Sequence, residues 1–597
     1  MYNPQYIDRL FSANPTIKSL LLEASLPRVA RAYIRTYLHE YQHNLQMSNA
    51  RVQSLEWHLQ IACLEIFKRM ITPRSERLAK FSLISVLWKL AHGRFDELPE
   101  DLNDAFFEEM IHLFRGLHGK SGIYSHEKAA EFIKLSGREA AVARSDQLDK
   151  LAAIGRDYLK RYKTGLDPDV VEKREKNKKR ILKKLDATEN DWNNYLWHIR
   201  NVVRTSQVLE QLIDLSREEK KAIDKARAEK LPFGITPYYV SLMDKKPGRQ
   251  QDHAVRAQVI PPMNYVDAML VNRQDRSCQF DFMLEHDTSP IDLITRRYPR
   301  IVILKPYNTC SQICVYCQRN WEIDDVLAEK AFASRKKILE AIKWINDHPA
   351  VDEVLVTGGD PLVMNDERVD FVLSNVAKID HVERIRIGSR TPVVLPQRIT
   401  DKLINIIAKY HKPGKREIVL VTHFEHPYEV TPEAMEAIQK FKRHGISVYN
   451  QAVFTLENSR RYELVALRKA LRLIGVDPYY TFNTKGKKET KNYRVPLARL
   501  MQEIKEEARL TPGTVRTDEP VYNVPRLGKN YIRAQQHHSL IMILPSGERV
   551  YEFHPWEKKL ALADTYVDTD VSIWDYLQEL KRRGEDIEDY RTIWYYY

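Results

Sequence analysis

Short apolar runs rich in β-branched residues alternate with amphipathic helical segments through the second half of the chain. From about residue 300, six runs are typical of strands, and helical segments separate them: IVILK, VDEVLVT, RIRIGS, EIVLVTHF, SVYNQAVF and PYYTF. Parallel strands joined by helices need right-handed crossovers, and an unbroken series of such units favours a curled sheet over an open one. The sequence therefore predicts an α/β fold containing a partial (β/α)6 barrel.

The first 185 residues have a different pattern. Segments such as RVQSLEWHLQIACLEIFKRMI repeat apolar residues at three- and four-residue spacing, with few strand-like alternations. This periodicity predicts a large all-α N-terminal extension, over residues 1–185. No repeat or low-complexity tract in it indicates a partner.

The chain is basic, with 94 Lys and Arg against 81 Asp and Glu. Its densest basic run, Lys173 to Lys184, contains Ile181 and Leu182 at helical spacing, which favours one solvated helix over a polyanion site. We therefore expect no nucleic-acid partner. The first residues lack a basic and then apolar leader pattern, and no uncharged apolar run approaches about 20 residues. These features predict a cytoplasmic protein with no membrane partner.

Three of the chain's five cysteines lie close together, as Cys310, Cys314 and Cys317 directly after the first strand. A structural zinc site needs four protein ligands, and no cysteine follows Cys317 to complete one. Three thiolates suit a [4Fe-4S] cluster whose fourth iron is open to an exogenous ligand. The spacing therefore indicates an iron–sulfur site.

The cysteine array, together with the GGDP turn after the second strand, resembles the radical S-adenosylmethionine superfamily. The resemblance implies that the open iron is chelated by S-adenosylmethionine and that Gly358, Gly359 and Asp360 contribute to its binding. Glycine at these positions lets the backbone approach a ligand closely. The resemblance further implies a one-electron reductant, such as flavodoxin or ferredoxin, as a partner.

Longer strings narrow the resemblance to the lysine 2,3-aminomutase family, over residues 190 to 555. They are WNNYLWHIRN, ITPYYVSLMD, RRYP, GSRTPVVLPQRIT, THFEHP and DPYY. The resemblance implies residues 186–290 as a helical family segment, 291–485 as the radical SAM barrel, 486–560 as a small C-terminal pyridoxal-phosphate-binding segment and 561–597 as a tail. It also implies a homo-oligomer. The oligomer geometry cannot be carried over, because lysine-specific members have C-terminal cysteines for a structural zinc and no cysteine follows Cys317 here.

The family also binds pyridoxal 5′-phosphate on a lysine in a glycine-rich loop. The matching loop here is VPRLGKN, which makes Lys529 the implied Schiff-base lysine. The resemblance implies that Arg297 and Tyr298 bind the cofactor phosphate, and that Arg300 replaces a second family arginine.

Other positions match family contacts to the substrate and to S-adenosylmethionine. Arg319, two residues after Cys317, matches the arginine that grips the substrate α-carboxylate, for which a planar guanidinium offers two parallel hydrogen bonds. His423 and Gln451 match residues that contact S-adenosylmethionine.

Substrate choice depends on Lys485 and Asn523. Lysine-specific members have two aspartates at these positions to hold the distal ammonium of lysine. A cation and an amide suit a carboxylate instead, and this pair resembles the glutamate 2,3-aminomutase branch. We therefore expect a glutamate 2,3-aminomutase. The alternatives are an aminomutase for another amino acid, such as lysine, or an iron–sulfur protein that modifies or regulates nucleic acid.

Overall fold

The computed structural model describes residues 3–47, 54–123, 134–248, 251–274, 280–483, 488–534, 537–555 and 564–597. The chain divides into two compact units. We call them the terminal unit, made of Met1–Gly155, Val495–Glu507 and Leu527–Tyr597, and the sheet unit, made of Arg156–Arg494 and Ala508–Arg526. The segment boundaries expected from the family resemblance stay predictions.

Helices dominate the first part of the chain and then alternate with strands. The α-helices described are α1 (Gln5–Ala13), α2 (Pro15–Glu23), α3 (Pro27–Met47), α4 (Leu55–Met70), α5 (Pro73–Ala79), α6 (Leu83–Ala91), α7 (Asp104–Leu117), α8 (Gly137–Leu159), α9 (Pro168–Lys184), α10 (Glu189–Asn193), α11 (Tyr195–Arg200), α12 (Ser206–Leu212), α13 (Arg217–Ala228), α14 (Pro237–Val240), α15 (His253–Val259), α16 (Met263–Val271), α17 (Arg335–Asn346), α18 (Asp366–Val376), α19 (Thr391–Val394), α20 (Asp401–Ala408), α21 (Pro432–Arg443), α22 (Glu463–Leu473), α23 (Leu497–Gln502) and α24 (Ile573–Arg582). None of these helices is long and apolar enough to cross a membrane.

Among the residues that the structure describes, the strands begin after residue 290. They are β1 (Ile294–Thr295), β2 (Ile301–Tyr307), β3 (Glu353–Gly358), β4 (Arg384–Gly388), β5 (Glu417–Thr422), β6 (Ser447–Phe454), β7 (Asp477–Asn483), β8 (Glu519–Val524), β9 (Gly528–Tyr531), β10 (His538–Ile543), β11 (Arg549–Phe553) and β12 (Tyr566–Thr569). The mixed α/β fold and the mostly helical N-terminal region are confirmed.

Strands β2 to β8 of the sheet unit pair in parallel and in chain order, and β1 adds antiparallel to β2. The six predicted strands are β2 to β7, and α17, α18, α20, α21 and α22 connect them in turn. Sequence patterning missed β8, which follows α23 and the two short helices that continue it, Glu503–Glu507 and Ala508–Leu510. The curling of this sheet into a partial barrel stays a prediction.

A buried ion pair holds β8 against the sheet. Arg468 of α22 donates to both carboxylate oxygens of Asp518, at 2.8 and 2.9 Å, and Thr481 of β7 donates to the same carboxylate at 2.5 Å. Asp518 directly precedes β8, so its carboxylate anchors the start of the strand next to β7.

The basic run forms the predicted helix, α9. Most of its lysines are exposed to solvent, but Arg174 and Asn177 are buried. Arg174 donates to Glu433 at 2.8 Å, and Asn177 donates to the carbonyls of Ser241 and Met243. One face of the run is therefore used for packing within the sheet unit.

The terminal unit joins the N-terminal helices to the end of the chain. Strands β10, β11 and β12 form an antiparallel sheet. Arg549 of β11 is 1% exposed, and its guanidinium donates to both carboxylate oxygens of Glu109 in α7, at 2.9 and 2.8 Å. It also donates to the carbonyls of Trp594 and Tyr596. The aromatic tail thus packs with the N-terminal helices through one buried arginine.

We predict that Arg549→Met destabilises the terminal unit, because it leaves the Glu109 carboxylate buried without its partner. Loss of one member of a buried pair costs about 3–5 kcal/mol. Differential scanning calorimetry should show a lower Tm, and adding Glu109→Leu should recover part of the loss. The control is Arg582→Met, which removes an exposed ion pair with Glu579 and should cost about 0–1 kcal/mol. Equal Tm values for Arg549→Met and the wild type would contradict the role assigned to this pair.

Candidate active site

Cys310, Cys314 and Cys317 lie in the loop that follows β2, at the carboxyl edge of the parallel sheet. The loop is held by backbone hydrogen bonds from Ile313 to Gly234 and from Val315 to Gln258. Open parallel sheets bind ligands at this edge, because the loops after successive strands converge there.

The three thiols lie within electrostatic range of one another. Burial raises the pKa of the Cys314 thiol to about 11, Arg390 opposes the shift, and Cys317 adds to it. Burial also raises the pKa of Cys310 well above its usual value, with contributions from Cys317 and Cys314. Such a soft sulfur donor set, brought together in one loop, fits an iron–sulfur cluster.

Two glycines bring the GGDP loop against the cysteine loop. The N–H of Gly359 donates to the carbonyl of Tyr307, and that of Asp360 to the carbonyl of Thr309, each at 2.8 Å. A Cβ at Gly359 would lie 2.1 Å from the Thr309 carbonyl oxygen, and Gly358 has φ +112°. Only glycine permits this approach one residue before Cys310.

The Asp360 carboxylate binds the next loop of the sheet. It accepts hydrogen bonds from Ser389 Oγ at 2.6 Å, from the Arg390 N–H at 2.9 Å and from the Leu362 N–H at 3.1 Å. Its side chain therefore positions the GSRTP segment after β4. Any contribution of Asp360 to S-adenosylmethionine binding stays a prediction.

Arg390 connects this loop to the cysteines. Its Nη1 donates to Cys314 Sγ at 2.8 Å, and its Nη2 donates to Glu429 Oε1 at 2.7 Å and also to Gln258 Oε1. Glu429 is fully buried and accepts a further hydrogen bond from the Tyr239 hydroxyl. Sequence reasoning missed Arg390, although its position after a strand end was a usable signal.

Arg319 is paired with a carboxylate in this structure. Its Nη1 and Nη2 lie 2.8 and 2.7 Å from the two carboxylate oxygens of Glu285, and its backbone N–H donates to Cys317 Sγ. Lys305 lies 3.4 Å from Glu285 and 3.2 Å from Glu322. The result is a largely buried group of alternating charges beside the cysteine loop. Glu285, Lys305 and Glu322 were not singled out from the sequence.

Arg297 borders this charged group. Burial lowers the pKa of Arg297, and Glu285 and Asp281 act in the opposite direction. Its Nη2 is buried without a hydrogen-bond partner among the described residues. A buried guanidinium N–H without a partner is able to bind an anion such as a phosphate. Tyr298, next to it, is half-buried.

Arg300 is in a different setting. Arg300 directly precedes β2. Its side chain is 74% exposed and pairs with Asp352. This is the amino edge of the strand, whereas the cysteine loop follows its carboxyl end. The structure therefore does not bring Arg300 together with the cysteines, because seven strand residues separate the two edges.

His423 and Gln451 are neighbours. His423 follows β5, and its Nδ1 lies 3.1 Å from the Gln451 carbonyl oxygen in β6. Burial and Arg390 lower the pKa of His423 to about 4, so its imidazole is neutral at pH 7. Nearby, burial raises the pKa of Glu425 to about 8, although Arg390 acts against the shift. The carboxyl edge thus holds buried groups of unusual proton affinity, as catalytic sites often do.

The remaining predicted residues are Asn523, Lys529 and Lys485. Asn523 is half-buried in β8, one residue beyond the Asn483–Tyr522 pair at the carboxyl edge. Lys529 is half-buried in β9 of the terminal unit. Lys485 lies outside the described residues.

Comparison with known proteins gives the chain's relatives. The family model described as Radical SAM superfamily matches residues 304–467. An uncharacterized KamA family protein of Methanocaldococcus jannaschii is 44% identical, over 98% of this chain and 97% of that protein. Glutamate 2,3-aminomutase of Clostridioides difficile is 35% identical over 56% of this chain and 76% of its own length. L-lysine 2,3-aminomutase of Clostridium subterminale is 33% identical over 60% of this chain and 83% of its own length.

We predict that Gly359→Ala abolishes iron binding, because the added Cβ must displace the backbone before Cys310. Anaerobic reconstitution followed by iron analysis should show about four irons in the wild type and a loss in this variant, as in Cys310→Ala, Cys314→Ala and Cys317→Ala. Gly513→Ala is the matched control, since nothing lies within 4 Å of its Cβ position. Full iron content in Gly359→Ala would contradict the assigned packing, and stoichiometric zinc at the cysteines would contradict the cluster.

Proposed function

The chain belongs to the KamA family of radical S-adenosylmethionine enzymes, and we propose that it is a 2,3-aminomutase that converts glutamate to 3-aminopentanedioate. Relatives named glutamate or lysine 2,3-aminomutase align with more than half of the chain. The observation that carries the proposal is the cysteine loop with Arg319 beside it, already paired in the two-pronged geometry that a carboxylate requires.

Cys310, Cys314 and Cys317 would hold the [4Fe-4S] cluster, with Gly358 and Gly359 providing close backbone approach for S-adenosylmethionine. When bound, the cluster and S-adenosylmethionine would supply the radical chemistry that activates the C3–H bond of the substrate. His423 and Gln451 lie at the same edge of the sheet, where they would line the S-adenosylmethionine pocket. A one-electron reductant such as flavodoxin or ferredoxin belongs to this proposal.

Arg319 would bind the α-carboxylate of the substrate. In the structure its two Nη atoms hold Glu285, so the incoming carboxylate has to replace that side chain or share the guanidinium with it. Lys305 lies within 3.4 Å of Glu285 and can retain the displaced carboxylate. The arginine is therefore kept oriented and charge-compensated before substrate arrives.

Pyridoxal phosphate is the second cofactor of the proposal. When bound, it would supply an electron sink for the radical chemistry at C2 and C3. The unpartnered Arg297 Nη2 supports a phosphate site there, with Tyr298 adjacent. Lys529 is proposed as the lysine that binds the cofactor. Arg300 is exposed and pairs with Asp352, and its part in the phosphate site stays a prediction.

Glutamate is proposed because Lys485 and Asn523 replace two side chains that would have to be acidic to hold an ammonium. Asn523 is at the carboxyl edge of β8, the edge that also bears Arg319. A five-carbon diacid held at both ends places C3 between the two anchors. No net oxidation is needed, because the hydrogen removed from C3 returns to C2. Lysine is the competing substrate, since the lysine enzymes align with similar identity.

The cofactor lysine can be identified by chemical labelling. Borohydride reduction of enzyme loaded with pyridoxal phosphate, followed by peptide mapping, should place a pyridoxyl group on Lys529. Lys529→Ala should lose the label, and Lys581→Ala should keep it. Labelling of another lysine would overturn this assignment, and a lack of cofactor binding would count against the aminomutase activity.

Substitutions at Lys485 and Asn523 test the substrate assignment. Lys485→Ala should lower kcat/KM for glutamate by the equivalent of about 2–5 kcal/mol while leaving the cluster intact, because it removes the partner of the γ-carboxylate. Asn523→Asp should also weaken glutamate turnover through like-charge repulsion. Lys487→Ala serves as the control.

Wild-type kinetics with glutamate, aspartate and lysine complete that test. Aspartate is one methylene too short to reach both anchors, and lysine would place its ammonium against Lys485. Turnover of lysine equal to or better than that of glutamate would refute the substrate assignment while leaving the aminomutase class intact.

A further inference from the structure

Arg390 is a buried cation that contacts one of the three cysteines directly. Its Nη1 lies 2.8 Å from Cys314 Sγ, and its side chain is 12% exposed. Sequence reasoning assigned no role to it, and the proposed chemistry described so far does not use it. A guanidinium at this distance from a sulfur ligand is a hydrogen-bond donor to that sulfur.

The position of Arg390 is determined at both ends of the residue. Its backbone N–H donates to Asp360, which itself follows the two glycines packed on the cysteine loop. Its Nη2 donates to Glu429, and its guanidinium lies over the Tyr239 ring, 5.7 Å from the centroid. Glu429 compensates the buried charge. The guanidinium is therefore held against the sulfur by contacts from several loops and helices of the sheet unit.

One donor of this guanidinium remains unused. Arg390 Nε is buried and has no hydrogen-bond partner among the described residues. Buried donors in folded proteins are nearly always satisfied, so an orphan donor points to a group that binds there. Next to the Cys314 sulfur, an anionic iron–sulfur centre supplies acceptors of the required kind.

We propose that Arg390 tunes the reduction potential of the cluster by donating hydrogen bonds to Cys314 Sγ and, through Nε, to the anionic centre that the cysteines hold. The inference rests on the proposed cluster. Hydrogen bonds to the sulfurs of an iron–sulfur cluster, and positive charge close to it, stabilise the reduced form, which carries one more negative charge. Arg390 thus raises the midpoint potential and makes the electron easier for the reductant to deliver.

This role differs from that of Arg319. The Arg319 guanidinium is held by Glu285, whereas its backbone N–H donates to Cys317 Sγ. Replacing the Arg319 side chain therefore leaves that hydrogen bond to the cluster ligand in place. The roles of the two arginines can therefore be tested separately. Arg390 affects the reduction potential of the cluster, and Arg319 binds the substrate.

The test is an anaerobic redox titration of the reconstituted cluster, monitored by electron paramagnetic resonance without substrate. Arg390→Gln should shift the midpoint potential to a more negative value, and Arg390→Lys, which keeps the charge but loses the fork of donors, should shift it less. Arg384→Gln is the matched control, because Arg384 is at the opposite end of β4, where it pairs with Glu353 and Glu417. Its potential should equal that of the wild type.

The outcomes distinguish this inference from the function on which it rests. A wild-type protein that forms no cluster refutes the proposed function. A wild-type cluster whose potential is unchanged in both Arg390→Gln and Arg390→Lys, at full iron content, overturns the role of Arg390. Where Arg390→Gln fails to incorporate iron, Arg390→Lys decides: a more negative potential supports the role, and an unchanged potential contradicts it.

Discussion

The geometry of the site depends on the hydrogen bonds that the Asp360 carboxylate accepts. Its residue follows two glycines that lie against the backbone before Cys310, and its side chain binds the loop that bears Arg390. Three loops, after β2, β3 and β4, are thereby joined in one hydrogen-bonded unit. Burying a carboxylate destabilises a protein unless its oxygens accept hydrogen bonds. Three donors surround the Asp360 carboxylate and offset the free-energy cost of its burial.

Charge compensation extends from that unit through the site. Arg390 is held by Glu429, and Arg319 by Glu285, with Lys305 linking Glu285 to Glu322. Isolated buried cations are strongly destabilising, and these internal carboxylates compensate them. In the proposed function, a substrate carboxylate would replace Glu285 on Arg319 and exchange one ion pair for another.

The terminal unit follows the same rule in a different setting. Arg549 and Glu109 are each 1% exposed, and the arginine also binds carbonyls of the aromatic tail. Trp594 stacks on His112 of α7, with ring centroids 4.8 Å apart. The N-terminal helices and the chain's end thus share one core. The expected helical character of the extension is confirmed, whereas its association with the tail is a property of the tertiary structure.

Local patterns in the sequence determined the six central strands, their connecting helices and the placement of the cysteines at a strand end, because periodicity and chain order are properties of neighbouring residues. Tertiary structure decided which distant residues meet. Arg390 contacts a cysteine 76 positions away, and Arg549 pairs with a glutamate 440 positions away. Strand β8 and the Glu285 partner of Arg319 also became visible only in the fold. Such contacts depend on how packed elements bring side chains together, and no spacing along a single chain encodes that geometry.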